Sequence, residues 1–317
     1  MTGFSRALVT GGAGFIGSRL VRHLLGQGLA VTVLDNCSVG SPAAVDDRAR
    51  FIEGDVRRVE DLEAALEDVD CIFHLAAKVT IRGSLERFHE DVDNTLMGTV
   101  KLLDSLDDER VRFFTLASSM AVYAEAASPE PIPESHPREP LSPYGTSKLA
   151  SEQICSQVLA LRGVPFTAVR YFNTFGPGQK FTPYVGVMTI FITKLLQGER
   201  PTIFGDGEQQ RDFVHVDDIV AGTAATLGAT PGIYNLGTGR PTSVNRLAEL
   251  LVERIAPDLS AEHVPAQPGE LRYSIADIGR ARAVLGYEPT RSLQADVDPL
   301  IDAIAAELGV RRPAAGE

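Results

Sequence analysis

The sequence predicts an α/β fold: a doubly wound parallel sheet with helices on both faces, joined to a smaller, interleaved α/β domain on its C-terminal side. Three observations carry the prediction. Short β-branched runs alternate with helical segments through the first half. A glycine-rich turn sits between the first of these runs and the first helix. After Asn173 the alternation loosens, with Gly176, Pro177, Gly178 and Pro183 close together.

Taken in order, Ala7–Thr10 reads as a strand and Ile16–Gly26 as a helix. Ala30–Leu34 and Arg50–Glu53 are strands, Val59–Leu66 is a helix and Cys71–Leu75 is the next strand. Asp91–Leu106 is helical, Arg112–Leu116 a strand, Tyr144–Leu161 a long helix and Phe166–Arg170 a further strand. Ser128–Pro143 carries six prolines, which exclude a continuous helix or a central strand, so it is a surface loop leading into the Tyr144 helix. Gly186–Gln197 is helical, and Phe213–Val216 is a short strand before a helix opened by Asp217. The division that follows is 1–173 for the first domain with returning segments near 211–236, 174–310 mainly for the second, and 311–317 for a frayed tail.

A chain of 317 residues can bury a large core without staples. Its net charge of −12 argues against broad nucleic-acid or anionic-membrane binding. No apolar run approaches the roughly 18–20 residues of a membrane span, and the N-terminus has no signal-like arrangement. Three cysteines, Cys37, Cys71 and Cys155, cannot form a complete disulfide set and show no CxxC spacing. The six histidines are scattered, so no metal site is expected. These features fit a reduced, cytoplasmic protein.

Thr10–Gly17 reads T-G-G-A-G-F-I-G. Gly11 allows the tight turn, Gly14 lets backbone approach a pyrophosphate and Gly17 allows close helix–strand packing. The helix N-terminus then offers free N–H groups to phosphates. This is the Rossmann-type dinucleotide arrangement, with GxxGxxG spacing in place of GxGxxG. Asp35 ends the second strand, 18 residues after Gly17. A carboxylate there accepts both ribose hydroxyls and repels a 2′-phosphate, which favours NAD over NADP. Asp55 and Val56 end the next strand, where they either flank an adenine or simply form a turn.

Tyr144 and Lys148 stand four apart in P-Y-G-T-S-K and share a helix face. A phenol with a reference pKa of about 10 is a poor base at neutral pH. A neighbouring ammonium favours its ionised form, which suits removal of a hydroxyl proton during hydride transfer. Ser118 and Ser119 end a strand just upstream, where a hydroxyl can hold the reacting oxygen.

Together, Thr10–Gly17, His74-Leu75-Ala76-Ala77, Ser118–Tyr123, Tyr144–Lys148, Arg170-Tyr171-Phe172-Asn173 and Gly205–Phe213 resemble the extended short-chain dehydrogenase/reductase family. Their order and spacing are similar to its nucleotide-sugar 4-epimerase branch, of the UDP-glucose type. The likeness runs to about Leu293. It implies a catalytic set of Ser119, Tyr144 and Lys148. Ser119 is preferred to Ser118 because the family's hydroxyl lies three residues before a Val-Tyr pair, here Val122-Tyr123; Ser118 then touches the cofactor. For NAD it further implies Phe15, Ile16, Asn36, Ser38, Gly40, Leu75, Ala76, Ala77, Thr95 and Tyr171. For the substrate it implies Asn173 and Arg211 at the diphosphate, Val187, Thr202 and Phe204 near the nucleotide, Glu270 at its ribose, and Ser274 beside the sugar C2 substituent. Serine there is small enough to leave room for an N-acetyl group, though hexuronate-handling relatives are small here too. Arg211 has a plainer reading as a surface partner of Asp212. The likeness also implies a homodimer built from two helices per subunit, roughly Asp91–Leu106 and Tyr144–Leu161.

Two positions depart from the family pattern. Gln267 stands where a second phosphate-binding Arg is common; the grip is then weaker, or Arg272 takes it over. Thr95 stands where an Asn precedes the helical Gly98-Thr99, with Asn94 one residue earlier, so either the helix carries a local insertion or Thr95 takes the role. Met120 and Ala121 occupy the positions where dehydrating and decarboxylating relatives carry acids. Neither can transfer a proton, which disfavours elimination. The expected reaction is therefore C4 inversion of a UDP-hexose by NAD, with N-acetylated and uronate forms as candidates. The alternatives are an NDP-sugar 4-ketoreductase or dehydrogenase, or a non-catalytic dinucleotide sensor.

Overall fold

The computed structural model describes residues 3–78, 81–179, 186–266 and 271–312. The first domain runs β1 (Arg6–Thr10), α1 (Phe15–Gly26), β2 (Ala30–Asp35), β3 (Arg50–Glu53), α2 (Val59–Leu66) and β4 (Cys71–His74). There follow α3 (Ile81–Glu86), α4 (Phe88–Asp91), a π-helical turn (Val92–Met97) and α5 (Gly98–Asp104). Then come β5 (Phe114–Ser119), α6 (Pro143–Leu161), β6 (Phe166–Tyr171) and β7 (Asn173–Phe175). The later elements are α7 (Val187–Leu196), β8 (Thr202–Phe204), β9 (Gln210–His215), α8 (Val216–Ala224), β10 (Gly232–Leu236) and β11 (Pro241–Ser243). The chain continues through α9 (Val244–Ile255), β12 (Glu262–Val264), β13 (Tyr273–Ser274), α10 (Gly279–Leu285), α11 (Leu293–Asp296) and α12 (Asp298–Leu308).

The main sheet has seven parallel strands in the order β3-β2-β1-β4-β5-β6-β10. Period-two alternation explains why its strands are apolar throughout. In β1, Leu8 faces the core with α2, α5 and α6, while Ala7 and Val9 face the core with α1 and α8. Both faces are covered, as the doubly wound fold requires. The returning segment supplies β10 to the sheet beside β6, and α8 packs Val220 and Ala224 against Leu20, Val21 and Leu24 of α1. A second core joins α7, α9 and α12 through Phe191, Leu251 and Ile301. Beside it lie the strands β11-β9-β13, with β7 also on β9, and the pair β12-β8. Ile132 in the proline-rich loop donates its N–H to Ile275 O at 2.8 Å, tying that loop to the second half.

Several expectations need correction. The segment 91–106 is not one helix: the π-helical turn interrupts it, adding one residue to a turn. Strand β5 starts two residues later and runs three residues further than expected, to Ser119, because Arg112 is exposed and bonded to Gly3 O and Asp70. Strand β9 ends at His215; its ring Nδ1 accepts from Asp217 N at 3.2 Å and caps α8, so Val216 is already helical. Arg312 pairs with Asp298 at 2.6 Å and Asp302 at 3.1 Å. No helix among the described residues is long and apolar enough to cross a membrane.

Candidate active site

The nucleotide loop follows β1 at the carboxyl edge of the sheet. A Cβ on Gly17 would stand 2.1 Å from Gly11 O, so only glycine lets α1 sit this close to the turn. Thr10 ends β1 and anchors a buried polar chain. Its hydroxyl bonds His74 Nδ1 at 2.7 Å and accepts from Ala76 N at 3.2 Å, while His74 Nε2 meets Thr99 Oγ1 at 3.0 Å. Burial, with Lys148 nearby, lowers the His74 pKa to about 3, so the ring is neutral. This chain sets where Leu75, Ala76 and Ala77 leave β4. Asp35 accepts from Ala13 N at 2.9 Å and Cys37 N at 2.8 Å, which fastens the end of β2 to the glycine turn. Each oxygen keeps a lone pair for a ligand hydroxyl.

Asn36 donates to Asp55 at 3.0 Å and accepts from Ser38 N at 3.1 Å. The Arg57 guanidinium grips Asp55 and holds its carboxyl well below the usual carboxylate range. Val56 is buried against Gly98, and Thr95 is buried with its hydroxyl accepting from Lys78 N at 3.3 Å. Thr95 faces inward, and the π-helical turn is the local insertion that one reading of that departure called for. A cavity of about 240 Å³ opens beside the loop, lined by Ala13, Gly14, Phe15, Gly40 and Gly178 among others.

The start of α6 brings the catalytic candidates together. Ser142 caps the helix by accepting from Gly145 N at 3.1 Å, and Pro143 takes the first helical position. Tyr144 therefore lies in the first turn and Lys148 one turn on. A Cβ on Gly145 would be 2.1 Å from Ala121 O, so glycine lets α6 close onto the turn after β5. Ser119 ends β5, and its hydroxyl accepts from Ala121 N at 3.2 Å. That hydroxyl stands beside the Tyr144 phenol and favours its ionised form. Burial dominates, however, and with the charge of Asp91 it pushes the Tyr144 pKa up to about 12. The expected depression by Lys148 does not offset that burial. Lys148 Nζ donates to Ala117 O at 2.8 Å, and burial lowers its pKa to about 8 against the pull of Asp91 and Glu152.

The Ser118 hydroxyl donates to Glu152 at 2.5 Å, inside the core. Glu152 is forked by Arg170 at 2.9 and 2.7 Å, and Arg170 also donates to Tyr123 OH at 2.9 Å. This buried network braces the end of β5. The sequence motif contained Arg170, and Glu152 lies one helical turn past Lys148, but nothing in the spacing alone linked the two. Tyr171 is buried beside Tyr144, with its hydroxyl 2.8 Å from Thr223 Oγ1.

Asn173 opens β7 with its Oδ1 buried and without a hydrogen-bond partner among the described residues, in register with Phe213 of β9. Arg211 of β9 is in register with Ser274 of β13 and donates to Gln210 O at 2.9 Å. It does not pair with Asp212, which is buried on the other strand face and accepts from Thr238, Gly239 and Ala276. Ser274 is fully buried, and its hydroxyl has no partner among the described residues. Phe204 lines a second cavity of about 250 Å³ with Asp206, Gln209, Leu271 and Arg272. Arg272 forks Asp206 at 2.6 and 3.0 Å, so taking over a phosphate grip would require it to leave that pair. Thr202 accepts from Lys194 Nζ at 2.7 Å and donates to Glu262 at 3.0 Å, at the edge of this region. Val187 starts α7 and packs on the second core. Glu270 and Gln267 lie outside the described residues. Among those residues no cluster of His, Cys, Asp and Glu could hold a metal ion.

Comparison with known proteins agrees with this geometry. Residues 7–237 match the NAD dependent epimerase/dehydratase family. A putative UDP-glucose 4-epimerase of Methanocaldococcus jannaschii is 35% identical over 93% of this chain and 97% of its own. The structure of UDP-glucose 4-epimerase from Thermotoga maritima with UDP-glucose superposes with a TM-score of 0.90, at 34% identity over 96% of this chain and 99% of the other. A UDP-N-acetylglucosamine 4-epimerase from Methanobrevibacter ruminantium M1, in complex with UDP-N-acetylmuramic acid, gives 0.89 at 30% identity, with 96% and 99% covered. The chain belongs to the NAD dependent epimerase/dehydratase family.

Proposed function

We propose that the chain inverts C4 of a UDP-hexose through a transient 4-keto sugar, with NAD retained through the cycle. The observation that carries this is the convergence of Ser119, Tyr144 and Lys148 at the carboxyl ends of the strands, beside the glycine loop. Ligands of doubly wound sheets bind at that edge, where strand order reverses on either side of β1. Asn173 Oδ1 and Ser274 Oγ are buried without partners among the described residues, a costly state that a ligand would relieve.

The residues present fit NAD. The glycine turn and the cavity beside it leave backbone N–H groups of α1 for the diphosphate, Asp35 would hold the adenosine ribose, and Lys148 the nicotinamide ribose. When bound, NAD accepts and returns the hydride and carries the redox chemistry. The chain supplies the proton chemistry and the orientation. Ser119 holds the sugar O4, and Tyr144 takes its proton and gives it back. Burial raises the Tyr144 pKa, and the Ser119 hydroxyl and the Lys148 ammonium one turn on oppose that rise when the proton leaves. Arg211 grips the diphosphate bidentately, and the small Ser274 leaves room for an N-acetyl group as well as a plain hydroxyl. We assign residues 1–173, with the returning β9–β10 segment, to cofactor binding, and 174–310 mainly to the substrate.

The test is a panel of UDP- and dTDP-sugars, including UDP-N-acetylglucosamine and UDP-glucuronate, incubated with the purified protein and followed by NMR without added cofactor. Interconversion of C4 epimers is expected. Conversion only with stoichiometric added NADH or NAD would make it a ketoreductase or dehydrogenase, and inertness toward every sugar would favour a sensor.

A further inference from the structure

Helix α6 carries Lys148 and Glu152 one turn apart, both buried. Glu152 is engaged elsewhere, by the two-pronged Arg170 contact at 2.9 and 2.7 Å and by Ser118 Oγ at 2.5 Å. The buried guanidinium and that carboxylate balance one another. Lys148 is left with a neutral acceptor, Ala117 O. The other titratable groups that face it are Cys155, His74 and Asp91. Burial pushes the Cys155 thiol up and keeps the His74 ring neutral, so neither offsets an ammonium.

Asp91 ends α4, immediately before the π-helical turn, in a segment that contacts α6. It is 1% exposed, and neither carboxyl oxygen has a formed hydrogen bond among the described residues. Its neighbours are Ser147, Lys148 and Lys78. Lys78 already has a carboxylate, since it pairs with Glu90. Among the described groups that face one another here, Lys148 is the cation left without a paired carboxylate, and Asp91 is the carboxylate left without a paired cation.

We infer that Asp91 is a positioning residue for Lys148: its buried carboxylate is the standing countercharge that keeps the ammonium protonated beside Tyr144. The inference rests on the catalytic reading of Tyr144 and Lys148 given above. Burial raises the Asp91 pKa and lowers that of Lys148, and each charge supports the other.

Asp91→Asn keeps the size and removes the charge. Without it the ammonium is disfavoured, so the alkaline limb of turnover should move acidward by about one pH unit. The acid limb should move the same way, because the charge that raises the Tyr144 pKa is gone. Asp91→Glu should keep the parent's limbs. A packing role predicts the reverse order, since Asn is the closer isostere. A second measurement does not need the Asn variant to fold. The Asp91 carboxyl carbon, followed by NMR in the parent and in Lys148→Met, should titrate about one unit higher once the ammonium is removed. Superimposable pH profiles for parent and Asp91→Asn, or an unchanged Asp91 titration in Lys148→Met, would overturn the inference. If the parent epimerises no sugar, the functional proposal fails, and the NMR comparison still decides this one.

Discussion

Burial pushes the Tyr144 pKa up to about 12, and the Ser119 hydroxyl beside it opposes that rise. Tyr144→Phe deletes the proton-transfer atom and little else. Turnover should fall by about 10²–10⁴-fold, the usual contribution of a positioned acid–base group, while NAD still co-purifies. Near-native turnover in that variant, read with any active sugar, would point to another base. His74 gives a different test, in stability. Its pKa is about 6.5 unfolded and about 3 folded, so between those values the unfolded chain binds more protons. Acidification through that window therefore favours unfolding, by about 1.4 kcal/mol per pH unit. Between pH 6.5 and pH 5 the parent should lose about 2 kcal/mol more than His74→Gln in urea titrations. Equal losses would mean that the ring accepts a proton in place. His74 stood in the sequence motif, but its place between Thr10 and Thr99 was not legible there, because those two partners come from two other elements, β1 and α5.

Helix α6 shows how an element can be read correctly while its docking is not. Ser142, Pro143 and the Tyr-x-x-x-Lys spacing announce its start and its active face. What the spacing does not show is that Gly145 abuts Ala121 O, and so fixes the distance between Tyr144 and Ser119. Gly145→Ala would place a methyl 2.1 Å from that oxygen and lift the first turn of α6. Turnover should drop by about 100-fold, the cost of roughly 1 Å of misplacement. The circular-dichroism spectrum should stay folded, because the rest of α6 packs through Cys155 and Leu159. A variant with parental turnover would show that the turn after β5 yields instead. The segment 91–106 is the opposite case. Its apolar pattern reads as one helix, and the π-helical turn emerges only from the packing of Thr95, Thr99 and Asp91 inward together. The departure at Thr95 was the one visible sign of an extra residue.

At the scale of the molecule, the alternating strands, the glycine turn and the position of β10's segment were legible because parallel strands buried on both faces leave continuous apolar runs. The second half was less so. Its strands are short, several with three residues or fewer, and Asn173, Arg211 and Ser274 meet only through pairing on β9. Assembly follows from what the fold leaves uncovered. Phe88, Val92 and Met97 are 60%, 37% and 40% exposed along α4 and the turn after it, and Leu161 at the end of α6 is 89% exposed. Single exposed apolar side chains are ordinary. Here Val92 and Met97 are five apart, about one π-helical turn, so the inserted residue keeps them on one outward face. The same segment turns Asp91 and Thr95 toward the active site, so that face and the site share one backbone. A two-fold pairing of these helices would bury the apolar side chains of both copies. Light scattering at micromolar concentration should therefore give twice the chain mass. Val92→Asp combined with Met97→Asp should shift the protein toward the monomer, since the paired surface would then carry four carboxylates. A parent that scatters as a monomer, or a double variant that remains fully dimeric, would place the interface elsewhere or remove it.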